Sequence, residues 1–252
     1  DLIGRELEDG DTYYVPPTKG MNVRLTIDAT VQGLAEKAVG DAAAKYGAKS
    51  VSCVMLDAGS GAVLAMAQAP SYDLNDIPRD DIGKLMEQSS LNAITDVYEP
   101  GSTFKILTSA IGIETGNVKQ SYYCGGSCMV DGQRIKCWRS IGHGSQDFVH
   151  GIYNSCNCVF VDVALSAGTD TMYGYFDKFG LGKKTGIDYY GEVSGLMIKK
   201  DAVKNVDLAR IGFGQAIAVT PVQLAAAVAS CINGGYLYTP YFVEDITDVS
   251  GK

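Results

Sequence analysis

A serine hydroxyl attacks a carbonyl only when a base takes its proton, and the run Ser102-Thr103-Phe104-Lys105 supplies one, three residues further on. On a helix that spacing puts both side chains on one face. A lysine serves as a base only when burial or a neighbouring cation lowers its pKa. Phe104, Ile106, Leu107, Ala110 and Ile111 make the surroundings of Lys105 apolar. It is the one Ser-x-x-Lys spacing in the chain, and it follows Tyr98-Glu99-Pro100-Gly101, where a loop ends and a helix begins. A helix N-terminus also favours negative charge developing on an acyl oxygen. Ser90-Leu91-Asn92 reads as a cap or turn. His143 and His150 stand near no Gly-x-Ser-x-Gly turn, so a Ser-His hydrolase is disfavoured, and His150 reads as surface or structural.

The elements that must position these groups follow from periodicity. Asn22–Asp28 alternates as a half-buried strand, and Thr30–Tyr46 carries Val31, Leu34, Ala35, Ala38, Val39 and Ala42 at helical spacing. Val51–Leu56 and Ala62–Ala67 flank Asp57-Ala58-Gly59-Ser60-Gly61 as a hairpin. A buried helix is expected over Ser102–Thr115, capped by Gly116, with others over Ser155–Ala167 and Thr220–Ile232. Strands are expected again over Tyr236–Ile246. The order predicts an α+β fold, with helices packed on an antiparallel sheet.

The string YEPGSTFKILTSAIGIETG resembles the active-site helix of penicillin-binding proteins, the transpeptidases that cross-link peptidoglycan and share their Ser-x-x-Lys element with serine β-lactamases. NVRLTIDATVQ, VMLDAGSGAVLAMA, GIYNSCNCVFVDVAL, LGKKTGID followed by GE, and GFGQAIAVTPVQLA resemble segments of the class B, monofunctional members, in the family's order. The cysteine content resembles a clostridial or sporulation-like type. The resemblance covers nearly all of residues 20–245. It implies a penicillin-binding, serine β-lactamase-like fold in which Ser102 is acylated, Lys105 is its base, and Ser155 and Asn157 assist. Residues 1–20 are expected to end an upstream region and residues 21–252 to form the transpeptidase domain. The family's third element is a Lys-Thr/Ser-Gly run on an inner strand; Lys184-Thr185-Gly186 is read as a decoy, the true strand being expected beyond Lys252. A serine β-lactamase is the alternative enzyme, and a non-catalytic β-lactam sensor or zinc-stapled scaffold the alternative of another class.

Seven cysteines occur, and Cys124, Cys128, Cys137, Cys156 and Cys158 fall within thirty-five residues. With Asp131-Gly132 as a two-residue hairpin turn, Val130 pairs with Gln133 and Gly126 with Cys137, so Cys124, Cys128 and Cys137 share a face. Cys124, Cys128, Cys137 and Cys156 are the expected ligands of a structural Zn2+, with Cys158 and His143 as contenders. Disulfides and inert packing remain open, the former because the family works outside the cell membrane. Cys53 and Cys231 lie in apolar runs and read as small buried hydrophobes. Serine acylation needs no metal, so no cofactor is expected for catalysis.

A net charge of -8 and the lack of any Lys/Arg cluster argue against a nucleic-acid partner. The 46% hydrophobic and 20% charged residues exclude a disordered chain. No apolar run spans a membrane. From family habit, the implied setting is the extracytoplasmic face of the membrane, anchored by an N-terminal segment outside this chain. Stem peptides and β-lactams are the implied ligands, and a membrane glycosyltransferase the implied neighbour.

Overall fold

The computed structural model describes residues 16–248 and 251, so most of the segment expected to close an upstream region, residues 1–15, lies outside the described residues. The chain divides into two compact units. One contains β1 (Asn22–Leu25) and β10 (Val243–Thr247), an antiparallel ribbon that pairs Asn22 with Thr247 and carries Arg24 against Glu244 and Asp245. The expected strand therefore stops at Leu25, and its side chains are exposed rather than half-buried, since a two-stranded ribbon covers neither face.

The other unit is Thr26–Phe242. Here α1 (Ala29–Tyr46) is capped by Asp28 and ends at Gly47, which takes the left-handed conformation. It lays Ala35 and Val39 on Ala65 and Ala67 of the hairpin formed by β2 (Val51–Leu56) and β3 (Val63–Ala69). The opposite face of that hairpin, through Val63 and Met66, meets Ala93 and Ile94 of a short helix and Val222. Beyond α2 (Ile82–Ser89) and that short helix α3 (Asn92–Thr95), the 3-10 turn Gly101–Phe104 runs into α4 (Lys105–Glu114). The helical core joins Leu107 and Ile111 of α4 to Met172 and Phe176 of α6 (Asn157–Lys178), and to Leu208, Ile211 and Leu224. Each of these side chains contributes roughly 1.5–3 kcal/mol through burial. The last three belong to α7 (Asn205–Ile211) and α8 (Pro221–Ile232), the latter opened by a capping box between Thr220 and Gln223.

A fourth cluster packs the cysteine-rich ribbons on α6. These are β4 (Tyr122–Cys124) with β7 (Gly144–Gln146), and β5 (Ser127–Val130) with β6 (Gln133–Lys136), followed by α5 (Phe148–Tyr153). The α+β class and the antiparallel pairing agree with the sequence reading. Among the described residues, however, the pairing is split into five two-stranded ladders, the last being β8 (Leu196–Met197) with β9 (Ile217–Ala218). Three boundaries also move. Ser155 precedes α6 instead of opening it; α6 bends at Gly168 (φ 76°) and continues, where an end was expected at Ala167; and Tyr236–Phe242 carries no strand.

Candidate active site

Gly101 stands one residue before Ser102 with φ 56°, and its N–H donates to Gly214 O at 2.9 Å. A Cβ on Gly214 would lie 2.1 Å from Gly101 O, so only glycine admits this backbone contact. Phe104, fully buried and edge-on to Phe176 at 5.7 Å, fixes the other side of the turn. Ser102 itself is exposed.

Lys105 is 5% exposed. Its Nζ lies 3.2 Å from Ser102 Oγ, 2.9 Å from Ser155 Oγ, 2.8 Å from Ser155 O and 2.7 Å from Asn157 Oδ1, with the Phe160 ring centroid at 5.4 Å. Burial pulls its pKa down to about 8, opposed by any negative charge on the Cys137 and Cys156 sulfurs. The four residues singled out by spacing and resemblance, Ser102, Lys105, Ser155 and Asn157, thus meet around one nitrogen.

The Ser155 turn is held by its backbone. Ser155 adopts φ 45°, and its N–H reaches Ile152 O at 2.9 Å. Asn157, the first residue of α6, donates from Nδ2 to Lys136 O at 3.1 Å, which aims its Oδ1 at the ammonium. The Lys136 carbonyl escapes sequence reasoning, because a backbone acceptor leaves no residue-type signature. Ser90 closes α2 and Asn92 opens α3, as a turn should. His150 is exposed and paired with the α5 cap Asp147 at 2.8 Å.

None of the seven cysteines is joined in a disulfide. The hairpin register is the expected one, Val130 opposite Gln133, with Cys137 N bonded to Gly126 O at 3.0 Å. The structure groups four residues that differ from the expected set by one. The ligand atoms of Cys124, Cys137, His143 and Cys156 lie within 4.8 Å of one another, and Cys128 is not among them. On the paired strands Cys128 stands opposite Ile135. Its Sγ approaches Ile135 O at 3.9 Å instead. Cys158 touches the group from outside, 3.6 Å from Cys124 Sγ. Cys53 and Cys231 are half-buried in their apolar runs.

Lys184-Thr185-Gly186 lies on no strand. The buried Glu192 carboxylate takes Thr185 N–H at 2.6 Å, Thr185 Oγ1–H at 2.5 Å and Gly186 N–H at 3.1 Å. Replacing Glu192 by Ala strands three donors and should destabilise the chain by on the order of 3 kcal/mol in urea unfolding. Lys184→Ala should leave acylation by penicillin unchanged; a large loss would return this run to the active site.

A serine with its lysine one turn away, and a Ser-x-Asn strip across from both, meet on an α+β scaffold. Residues 51–252 match the penicillin binding protein transpeptidase domain, and the chain belongs to that family. It is 36% identical to stage V sporulation protein D of Bacillus subtilis, over 98% of this chain and 38% of that protein. It is 31% identical to peptidoglycan D,D-transpeptidase FtsI of Escherichia coli K12, over 98% of this chain and 40% of that protein. The chain therefore spans about two fifths of the length of these curated relatives. Penicillin binding protein 3 of Mycobacterium tuberculosis, solved in complex with ampicillin, superposes with a TM-score of 0.85 at 27% identity, covering 96% of this chain and 53% of that one.

Proposed function

We propose that this protein is a peptidoglycan D,D-transpeptidase that works through an acyl-enzyme on Ser102. The observation that carries the reading is the simultaneous contact of Lys105 Nζ with Ser102 Oγ, Ser155 Oγ and Asn157 Oδ1. With a pKa of about 8, a usable fraction of the amine is neutral near neutrality. It takes the Ser102 proton as Oγ attacks the carbonyl between the two terminal D-alanines of a stem peptide. The carbonyl oxygen gains the charge, and the Ser102 N–H at the helix start donates to it. On collapse the C–N bond breaks, and the proton passes through Ser155 Oγ to the departing D-alanine amine. An amine of a neighbouring strand then attacks the ester, restoring Ser102 and closing the cross-link.

Because Glu192 holds Lys184-Thr185-Gly186 in a loop, a Lys-Thr/Ser-Gly strand outside the described residues would bind the substrate carboxylate. The same reading sets the reaction at the extracytoplasmic face of the membrane beside a glycosyltransferase, where peptidoglycan strands are made. Among the described residues no helix is long and apolar enough to cross a membrane, so an anchor would come from a segment outside them.

We also assign a structural Zn2+ to Cys124, Cys137, His143 and Cys156. Three thiols and an imidazole are a standard tetrahedral donor set, whose edges, from the usual bond lengths, are about 3.6–3.8 Å. Cys137 Sγ lies 3.7 Å from His143 Nδ1. The acyl transfer itself needs no cofactor.

Labelled penicillin followed by peptide mass spectrometry tests the function. A stable adduct on Ser102, absent from Ser102→Ala, is expected. Rapid release of the label would instead make the protein a β-lactamase, and no adduct at all would remove the assignment.

A further inference from the structure

We propose that Trp138 is a substrate-contacting residue, its indole forming the apolar wall against which the side group of the acyl donor lies next to the Ser155 turn. The proposal rests on the acyl-transfer reading and adds a determinant of which donors are taken.

Trp138 is the single tryptophan of the chain, and it is 65% exposed. An exposed indole on a loose loop would need no explanation, but this one is held on three sides. Its Nε1–H donates to Asn154 O at 2.9 Å, immediately before Ser155. Its ring stands edge-on to His143, with centroids 5.4 Å apart and planes at 63°. The loop carrying it is locked to the preceding ribbon by two glycines. A Cβ on Gly126 would lie 2.0 Å from Ser140 O, and one on Gly142 would lie 2.1 Å from Cys124 O. Asn154 is pinned in turn, its Nδ2 donating to Gln146 Oε1 at 2.9 Å.

Two residues earlier on the same segment, Lys136 O holds the Asn157 amide. Positions 136 and 138 therefore grip the 154–157 strip at both ends, one aligning the catalytic amide and the other presenting a flat apolar surface. A rigid aromatic ring that stays wet without a ligand gains contact area at little loss of conformational entropy when a ligand arrives. Its chemistry suits an aliphatic or planar group on the acyl side of the scissile carbonyl, the part retained on the serine. In a stem peptide that is the alkyl portion of the residues preceding the D-alanines; in benzylpenicillin it is the phenylacetyl group.

The test compares acylation of the full protein by benzylpenicillin and by 6-aminopenicillanic acid, which keeps the reactive ring and lacks the side group. Trp138→Ala is expected to lose about five- to tenfold in acylation efficiency with benzylpenicillin. The loss should fall on the concentration for half-maximal rate and not on the limiting rate, with 6-aminopenicillanic acid unaffected and Trp138→Phe largely restoring the difference. A structural role would depress both compounds alike, and that result, or no effect on either, overturns the proposal. Should Trp138→Ala fail to fold, the wild type still decides: all its tryptophan emission comes from this ring, so benzylpenicillin should shift the emission and 6-aminopenicillanic acid should not. Emission indifferent to both overturns the proposal as well. A wild type acylated by neither compound refutes the acyl-transfer reading itself, which a failure confined to Trp138 would leave standing.

Discussion

Lys105→Ala should slow acylation of Ser102 by about 10³-fold while leaving the protein folded, the span expected for removing a positioned general base. Lys105→Arg separates two roles of the side chain. A guanidinium keeps the positive charge facing Ser155 and Asn157 but does not give up its proton in a protein. If Lys105 works as a base, arginine should fail nearly as badly as alanine; if its charge alone mattered, arginine would rescue. The pH dependence carries the same information. The neutral amine is the active form and burial lowers its pKa to about 8, so acylation efficiency should rise with pH through about 8 and level off above it. Stopped-flow acylation across that window checks the limb. A rate flat from pH 6 to 10 would remove Lys105 as the base.

Chelation should unfold the region around the Ser155 strip at lower temperature than the native protein, with the melting point falling by on the order of 10 °C. Metal analysis should give one zinc per chain, and Cys156→Ser or His143→Ala should lose it, whereas Cys128→Ser should retain it. The distinction rests on geometry, since Cys124, Cys137, His143 and Cys156 converge and Cys128 does not. Acylation should drop with the metal, because the ligands adjoin the catalytic groups: Cys156 lies between Ser155 and Asn157, and Cys137 follows Lys136, whose carbonyl holds Asn157. Disulfides are the competing outcome. A protein that shows fewer than seven titratable thiols after denaturation in chelator, and no bound metal, would replace zinc with cross-links.

How far these features were legible in the sequence depended on how local their causes are. Ser102 and Lys105 are one helical turn apart, so spacing alone proposed them, and the flanking apolar residues proposed the burial. Ser155 and Asn157 needed the family resemblance, because nothing between residues 105 and 155 tells a reader that the two segments meet. The strand and helix order was readable from periodicity, but the division of the sheet into separate ladders was not, since pairing partners far apart in the chain leave no periodic trace. His143 was a contender and Cys128 a choice, because side-chain facing follows from strand alternation while reach depends on distances along the strand. Trp138 and Gly214 were silent because their partners lie far along the chain, at the Ser155 strip and the Ser102 turn, and the Lys136 carbonyl because a main-chain acceptor carries no residue-type signature.

Cys156 separates Ser155 from Asn157, and its thiol turns away from the substrate side toward Cys124, Cys137 and His143. One tripeptide is thereby read by two chemistries from opposite faces, oxygen and amide toward the lysine, sulfur toward the ligand group. Under the zinc assignment this gives the enzyme a vulnerability that its nucleophile does not share. On the acyl-transfer reading, soft toxic ions and mercurials, which leave serine alone, should block acylation from behind while the Ser102 hydroxyl stays chemically untouched.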